Sequence, residues 1–188
     1  RALSVSANIE RQSNLIYQKR WIWSAGIELL AAQERDVVGL AGRTSRQTFF
    51  IGALPGSITY DSSDDLLDPT SGFRIGVRIS PEASLQSGSF FYVSGQLDGS
   101  AYFPVSEKIV MAGRARFGSI VGAGNNRIAP SRRLYSGGGG SVRGYGYQRI
   151  GPLDANNDPV GGRSLVEFSL EARIRTGFLG GNLGVVPV

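Results

Sequence analysis

Arg143 lies in the glycine-rich connection Ser136-Gly137-Gly138-Gly139-Gly140-Ser141-Val142-Arg143-Gly144-Tyr145. Glycines let a backbone take tight or left-handed shapes that other residues resist. A guanidinium held in such a frame can fork onto a carboxylate with fixed geometry. Two candidates, Glu167 and Glu171, share a face of the stretch 163–175. Either can supply the partner. Both can instead solvate a water-filled pore or pair with Arg173 and Arg175. The chemistry on offer is a non-covalent grip.

Covalent chemistry has few means here. The 188 residues include no histidine and no cysteine. Ser-His-Asp triads, Cys-His pairs and the usual zinc sites therefore drop out. Carboxylates alone can catalyse, but no two pair convincingly, so the chain reads as a non-enzyme with no cofactor. The glycine run lacks the Gly-Lys-Ser/Thr ending of a phosphate loop and has no G-x-G-x-x-G register. Asp61, Asp64 and Asp65 have no EF-hand spacing, and a turn beside Pro69 accounts for them better than calcium. The net charge of +5 comes from basic residues scattered at period two, without a Lys/Arg block. Nucleic acid is therefore not an expected partner.

The elements that must position the arginine alternate apolar and polar residues over about ten residues, the length a tilted strand needs to cross a bilayer. The alternation runs over 2–11, 21–32, 47–60, 72–80, 89–103, 108–120 and 163–175, and a last strand starts near Leu183. In 89–103, Phe91, Val93, Leu97, Ala101 and Phe103 oppose Ser94, Gln96, Asp98 and Ser100. A soluble sandwich also alternates. Charges in mid-strand, and aromatics such as Trp21, Trp23, Phe91 and Phe103 near strand ends, favour a membrane barrel with a wet interior. The fold expected is all-β, an antiparallel transmembrane β-barrel of which about eight strands are present. In such a lumen Arg143 is partly desolvated and needs a carboxylate.

Two kinds of connection are expected. Short turns fall near 68–72 and 104–108, and long loops near 33–46, 81–88 and 121–162. With short turns periplasmic, 121–162 becomes an extracellular loop that tucks into the lumen. Arginine and the tyrosines Tyr145 and Tyr147 on one short segment predict a packed tip. Residues 1–188 read as part of a C-terminal barrel domain, since the chain opens at Arg1 and ends inside a strand-like run.

Ser141-Val142-Arg143-Gly144-Tyr145 is similar to the signature of the BamA/TamA family, the bacterial surface antigen barrels that assemble outer-membrane proteins. Asp61 to Gly72 resembles that family's strand-turn-strand motif. Arg133-Leu134-Tyr135-Ser136-Gly137-Gly138 precedes the signature, and Ile150-Gly151-Pro152 and Gly162-Arg163-Ser164 follow it. The motifs cover roughly 46–188, and the wording around the signature resembles TamA, the barrel subunit of the translocation and assembly module.

The resemblance implies a 16-stranded barrel whose sixth outside loop folds into the lumen. It implies that Val142, Arg143, Gly144 and Tyr145 form the tip, that Gly137 and Gly138 shape it, and that the arginine meets a wall acid at the position of Glu171. A second acid, an aspartate on the next strand, falls beyond Val188. The family's weak seam between first and last strands, and its periplasmic repeats, also lie outside this stretch. The implied activity is insertion of client outer-membrane proteins, such as autotransporters, into the Gram-negative outer membrane. The implied partners are the lipid bilayer, the clients and an inner-membrane-anchored subunit. Rival readings are a two-partner-secretion pore, a passive diffusion channel, and a barrel fused to an enzyme domain outside this stretch.

Overall fold

Period-two alternation produces one antiparallel sheet. The computed structural model describes residues 2–14, 16–38, 43–85, 89–176 and 184–185. Its strands are β1 (Ala2–Arg11), β2 (Trp21–Val38), β3 (Arg43–Ala53), β4 (Gly56–Asp61), β5 (Gly72–Ser84), β6 (Phe90–Ser106), β7 (Ile109–Val121), β8 (Ser164–Arg175) and β9 (Gly184–Val185). They pair in the order β1-β2-β3-β5-β6-β7-β8-β9, while β4 pairs β2 and β5. β3 and β4 are thus two halves of one strand position, and the wall is eight strands wide.

The junction between those halves has a chemical cause. Pairing to β5 stops at Ala53↔Glu82 and resumes at Gly56↔Ile79. Pro55 and Pro81 fall in this gap, and a proline has no N–H to give a ladder. Neighbouring donors are still satisfied. Leu54 N–H donates to the Pro81 carbonyl at 3.0 Å, and Gly26 N–H to the Pro55 carbonyl at 2.9 Å.

The two faces of the sheet differ sharply. One carries exposed Leu29, Ile58, Ile75, Leu97, Phe168 and Leu170, with others like them. Apolar surface on this scale is driven out of water. Against acyl chains it needs no cover. Rings gather near the strand ends on the same face. Trp21 lies 5.0 Å from Tyr60, and Tyr60 lies 5.8 Å from Phe73, centroid to centroid. The other face is polar, and register aligns its charges. Asp98 stands opposite Arg116, and Arg116 opposite Glu167. Asp61 stands opposite Arg74, and the two pair at 2.6 Å.

Two of the expected long loops are not loops. Strand pairing runs on to Val38↔Arg43, so most of 33–46 is strand, and only 39–42, outside the described residues, separates β2 from β3. β5 continues through Pro81 to Ser84. Apolar alternation fades there because the side chains turn polar, yet backbone pairing does not depend on apolar side chains. The turn near 104–108 is also shorter than expected, since β6 reaches Ser106 and β7 begins at Ile109. The long connection is 122–163. It contains two short 3-10 turns, Asn125–Arg127 and Pro130–Arg132, and doubles back through the bridges Leu134↔Gly162 and Ser136↔Ile150. Its base is dry: Ala123, Ile128 and Leu134 pack with Tyr92, Ile120 and Leu165.

At the other end of the sheet, residues 62–71 form a tightly capped turn. Asp64 accepts from the Thr70 hydroxyl and from the N–H groups of Thr70, Ser71 and Asp65. These bonds, the Thr70 hydroxyl first, hold its carboxyl well below the usual carboxylate range.

Two predictions follow from these faces and this turn. Leu97→Arg puts a charge against lipid and is expected to destabilise the complete protein by about 2–4 kcal/mol in urea titrations in vesicles. Gln96→Lys, on the opposite face, should cost clearly less. For the turn, a carboxylate depressed in the folded state stabilises it fully above the unfolded pKa of about 3.9, and this is lost as pH falls through the lower folded value. Amide protection across 64–71, corrected for intrinsic exchange rate, should therefore persist at pH 5 and fade only below about pH 4.

Candidate functional site

The tip of the long connection lies on the polar face of β6, β7 and β8. Two glycines let it turn there. Gly137 (φ +106°) and Gly138 (φ +102°) are buried with left-handed backbones. A Cβ on Gly137 would sit 2.6 Å from the Gly146 carbonyl. Only glycine tolerates that combination without strain. Backbone bonds close the tip: Ser141 N–H to the Gly138 carbonyl at 3.0 Å, and Gln148 N–H to the Gly137 carbonyl at 3.2 Å.

Ser141 then makes the decisive contact. Its hydroxyl accepts the Gly137 N–H at 3.0 Å and donates to Oε1 of Glu167. Glu167 is 7% exposed. Its second oxygen accepts from Arg116 at 3.3 Å, and Arg116 reaches on to Asp98 at 2.8 Å. The result is a charged chain across three strands, from Asp98 on β6 through Arg116 on β7 to Glu167 on β8, capped by the loop. Arg114 on β7 adds a bond to the Gly140 carbonyl at 3.1 Å.

Arg143 lies beside this chain. Its guanidinium NH1 is 3.4 Å from Oε2 of Glu171. Glu171 is shared, because Arg173 holds the other oxygen at 2.7 Å. The side chain of Arg143 is 55% exposed, so it is about half covered and not enclosed. A half-exposed ion pair of this length contributes about 0.2–1 kcal/mol. Glu167 does not meet the arginine; it takes Ser141 and Arg116 instead. Val142 is half-buried, and Gly144 (φ +85°) is exposed. Tyr145 and Tyr147 are 61% and 77% exposed, which corrects the expected packed aromatic tip. The tip is ordered by glycine turns, backbone bonds and Ser141, and the rings take little part. Tyr147 does lie over Gly138.

A second anchor sits at the loop base. Glu34 on β2 accepts the Ser131 N–H at 2.9 Å and its hydroxyl at 2.6 Å. Arg132 approaches Glu28 on β2 at 2.9 Å and Glu82 on β5 at 3.6 Å. One connection thus touches β2 and β8, at opposite sides of the sheet, and the sheet must curl for both contacts to form. Sequence reading missed Ser141 as a contact, Arg116 as its relay and this base entirely. Motif spacing named Ser141, but nothing in one sequence tells which strand residues lie abreast.

Under the tip lies a cavity of about 810 Å³, lined by Arg74, Arg78, Arg114, Arg116 and Arg173 together with Asp98 and Glu171. No cluster of residues able to hold a metal occurs among the described residues. What the arrangement offers is reversible ionic and hydrogen-bonded docking of a loop on a wall.

Comparison with known proteins agrees with this architecture. Residues 4–186 match the Omp85 superfamily domain. Among solved structures the chain is similar to BamA from Haemophilus ducreyi lacking POTRA domains 1-3, with a TM-score of 0.71 at 17% sequence identity. The match covers 95% of this chain and 38% of that chain, so this chain spans well under half the length of that relative.

Ser141→Ala removes a donor from buried Glu167 and an acceptor from Gly137, and an unsatisfied buried group costs about 1–3 kcal/mol. Protease cleavage within 138–147 of the complete protein should accelerate accordingly, with the strands still protected. Ser141→Thr, which keeps the hydroxyl, should stay near wild type.

Proposed function

The chain belongs to the Omp85 superfamily, and on that premise we propose that it is part of an outer-membrane assembly factor that promotes insertion of β-barrel clients. The observation that carries this reading is the docked tip. A loop from one end of the sheet returns to the polar face and is held there by Ser141 on Glu167 and Arg143 on Glu171. A loop so placed braces a wall whose strands have to tolerate opening nearby. Unpaired backbone in lipid costs several kcal/mol per group, and an exposed strand edge can template pairing for an incoming strand. The catalysed step is therefore strand insertion, with no covalent bond made.

In this reading the eight strands belong to a 16-stranded barrel in the outer membrane of a Gram-negative bacterium. The long connection is extracellular in origin, and the clients include autotransporters. The motif wording around Arg143 supports a TamA-like member working with an inner-membrane-anchored partner. No enzyme activity, cofactor or nucleic acid enters. The cavity under the tip favours one second reading, a polypeptide transport pore of the two-partner type, in which the arginine-lined lumen is itself the conduit.

The test is insertion of an unfolded barrel client into vesicles carrying the complete protein. Arg143→Ala removes a contact of about 0.2–1 kcal/mol and is expected to slow insertion by roughly 1.4–5-fold, since 1.4 kcal/mol is tenfold. Insertion at the wild-type rate by a folded Arg143→Ala protein would count against the proposal. Polypeptide crossing the vesicle wall without insertion would favour the pore.

A further inference from the structure

We infer that the turn at 62–71 sets the grip on the loop tip, acting through Arg173 as a positioning residue. Turn and tip come from opposite ends of the sheet. They meet through one guanidinium. Arg173 on β8 places Nε and NH2 on the same oxygen of Glu171, at 2.8 and 2.7 Å. Its third nitrogen turns the other way, donating to the Pro69 carbonyl at 3.3 Å and lying 3.7 Å from Asp68. Its plane lies over the Tyr102 ring, 5.3 Å from the centroid.

Each attachment has a consequence. Because Arg173 takes Oε1 of Glu171, Oε2 is left to Arg143. Arg173 and Arg143 are like charges drawn to one carboxylate, so what holds the first decides what the second receives. The turn does the holding. It crosses from β4 and β5 to β8, three strand positions and roughly 14 Å away at normal strand spacing. Asp64 and Asp65 make it stiff: the Asp65 carboxylate accepts the N–H groups of Leu67 and Asp68, both at 2.8 Å. Asp68 is fixed further by Arg175 at 2.7 Å. Without the pull of Asp68, Arg173 keeps only the Pro69 carbonyl on that side and shifts toward both oxygens of Glu171, at the expense of Arg143.

This coupling deepens the reading of the loop as a brace, but its test is read at the tip itself. Hydrogen exchange is followed at residues 137–149 of the complete protein in vesicles, for wild type, Asp68→Asn, Glu171→Gln and the double variant. Asp68 has a largely exposed side chain, so its substitution spares the sheet, and exchange on β6 and β7 in the same data checks this. The expected result is tip exchange up to about 5-fold faster in Asp68→Asn, the ceiling set by a pair that contributes about 0.2–1 kcal/mol. In the Glu171→Gln background the same change should have no further effect. Unchanged tip exchange in Asp68→Asn would overturn the inference, as would an equal increase in both backgrounds. Normal client insertion by Arg143→Ala would defeat the brace and leave this coupling standing.

Discussion

A carboxylate with almost no access to water organises this structure. Glu167 sits on β8 beneath the returning loop, and a buried carboxylate is costly unless donors meet it. Arg116 supplies one from the wall, and Ser141 supplies the other from the loop. The burial is mutual: the loop covers the carboxylate, and the carboxylate gives the loop its reason to lie there. Gly137 and Gly138 follow from that demand, because only a chain without side chains turns tightly enough to bring Ser141 inward. Buried ionic groups of this kind are weak evidence for stability and better evidence for a specified arrangement.

That arrangement rests on register. In a sheet, residues of one face line up across strands, and a slip of one residue would turn every side chain to the other face. Here a slip of β7 would send Arg116 into the apolar band and leave both Asp98 and Glu167 unpaired. The exposed leucines and isoleucines on one side and the charge rows on the other therefore enforce the same register. The proline gap at Pro55 and Pro81 interrupts the ladder between β4, β3 and β5 without disturbing the faces, since the even-numbered residues Phe50, Leu54 and Ile58 are all exposed.

Much of this was legible in the residues. Alternation located the strand positions and their faces, and the glycine run marked the one long connection. It failed where polar side chains hid continuing strands, as between Gln33 and Arg46, because side-chain pattern reports environment while pairing is a backbone property. It failed again at the tip. Arg143 and Tyr145 stand out by type, yet the buried contact belongs to Ser141, a residue with little to distinguish it. Which acid an arginine meets depends on which strand residues lie abreast, and a single sequence does not contain that. Glu167 and Glu171 were both visible as acids; only the fold separates the one that Ser141 takes from the one that two arginines share.

The strengths of these contacts also bear on what the loop can do. The Arg143 pair is half-exposed and long, of the class that contributes about 0.2–1 kcal/mol. The Ser141 bond reaches a buried charge and belongs to the class of about 1.5–3 kcal/mol. A tip held by a few such contacts could be released without breaking any strand pairing. The loop base is different. Ile128 and Leu134 are buried with Tyr92 and Leu165, and Glu34 fixes Ser131, so the root is held more firmly than the tip. If the loop acts as the proposed brace, a buried root and a lightly held tip suit a wall that has to hold its shape and still yield. A tip sealed by buried aromatics would be held as firmly as the root; with Tyr145 and Tyr147 exposed, the rings add little to the hold on this one.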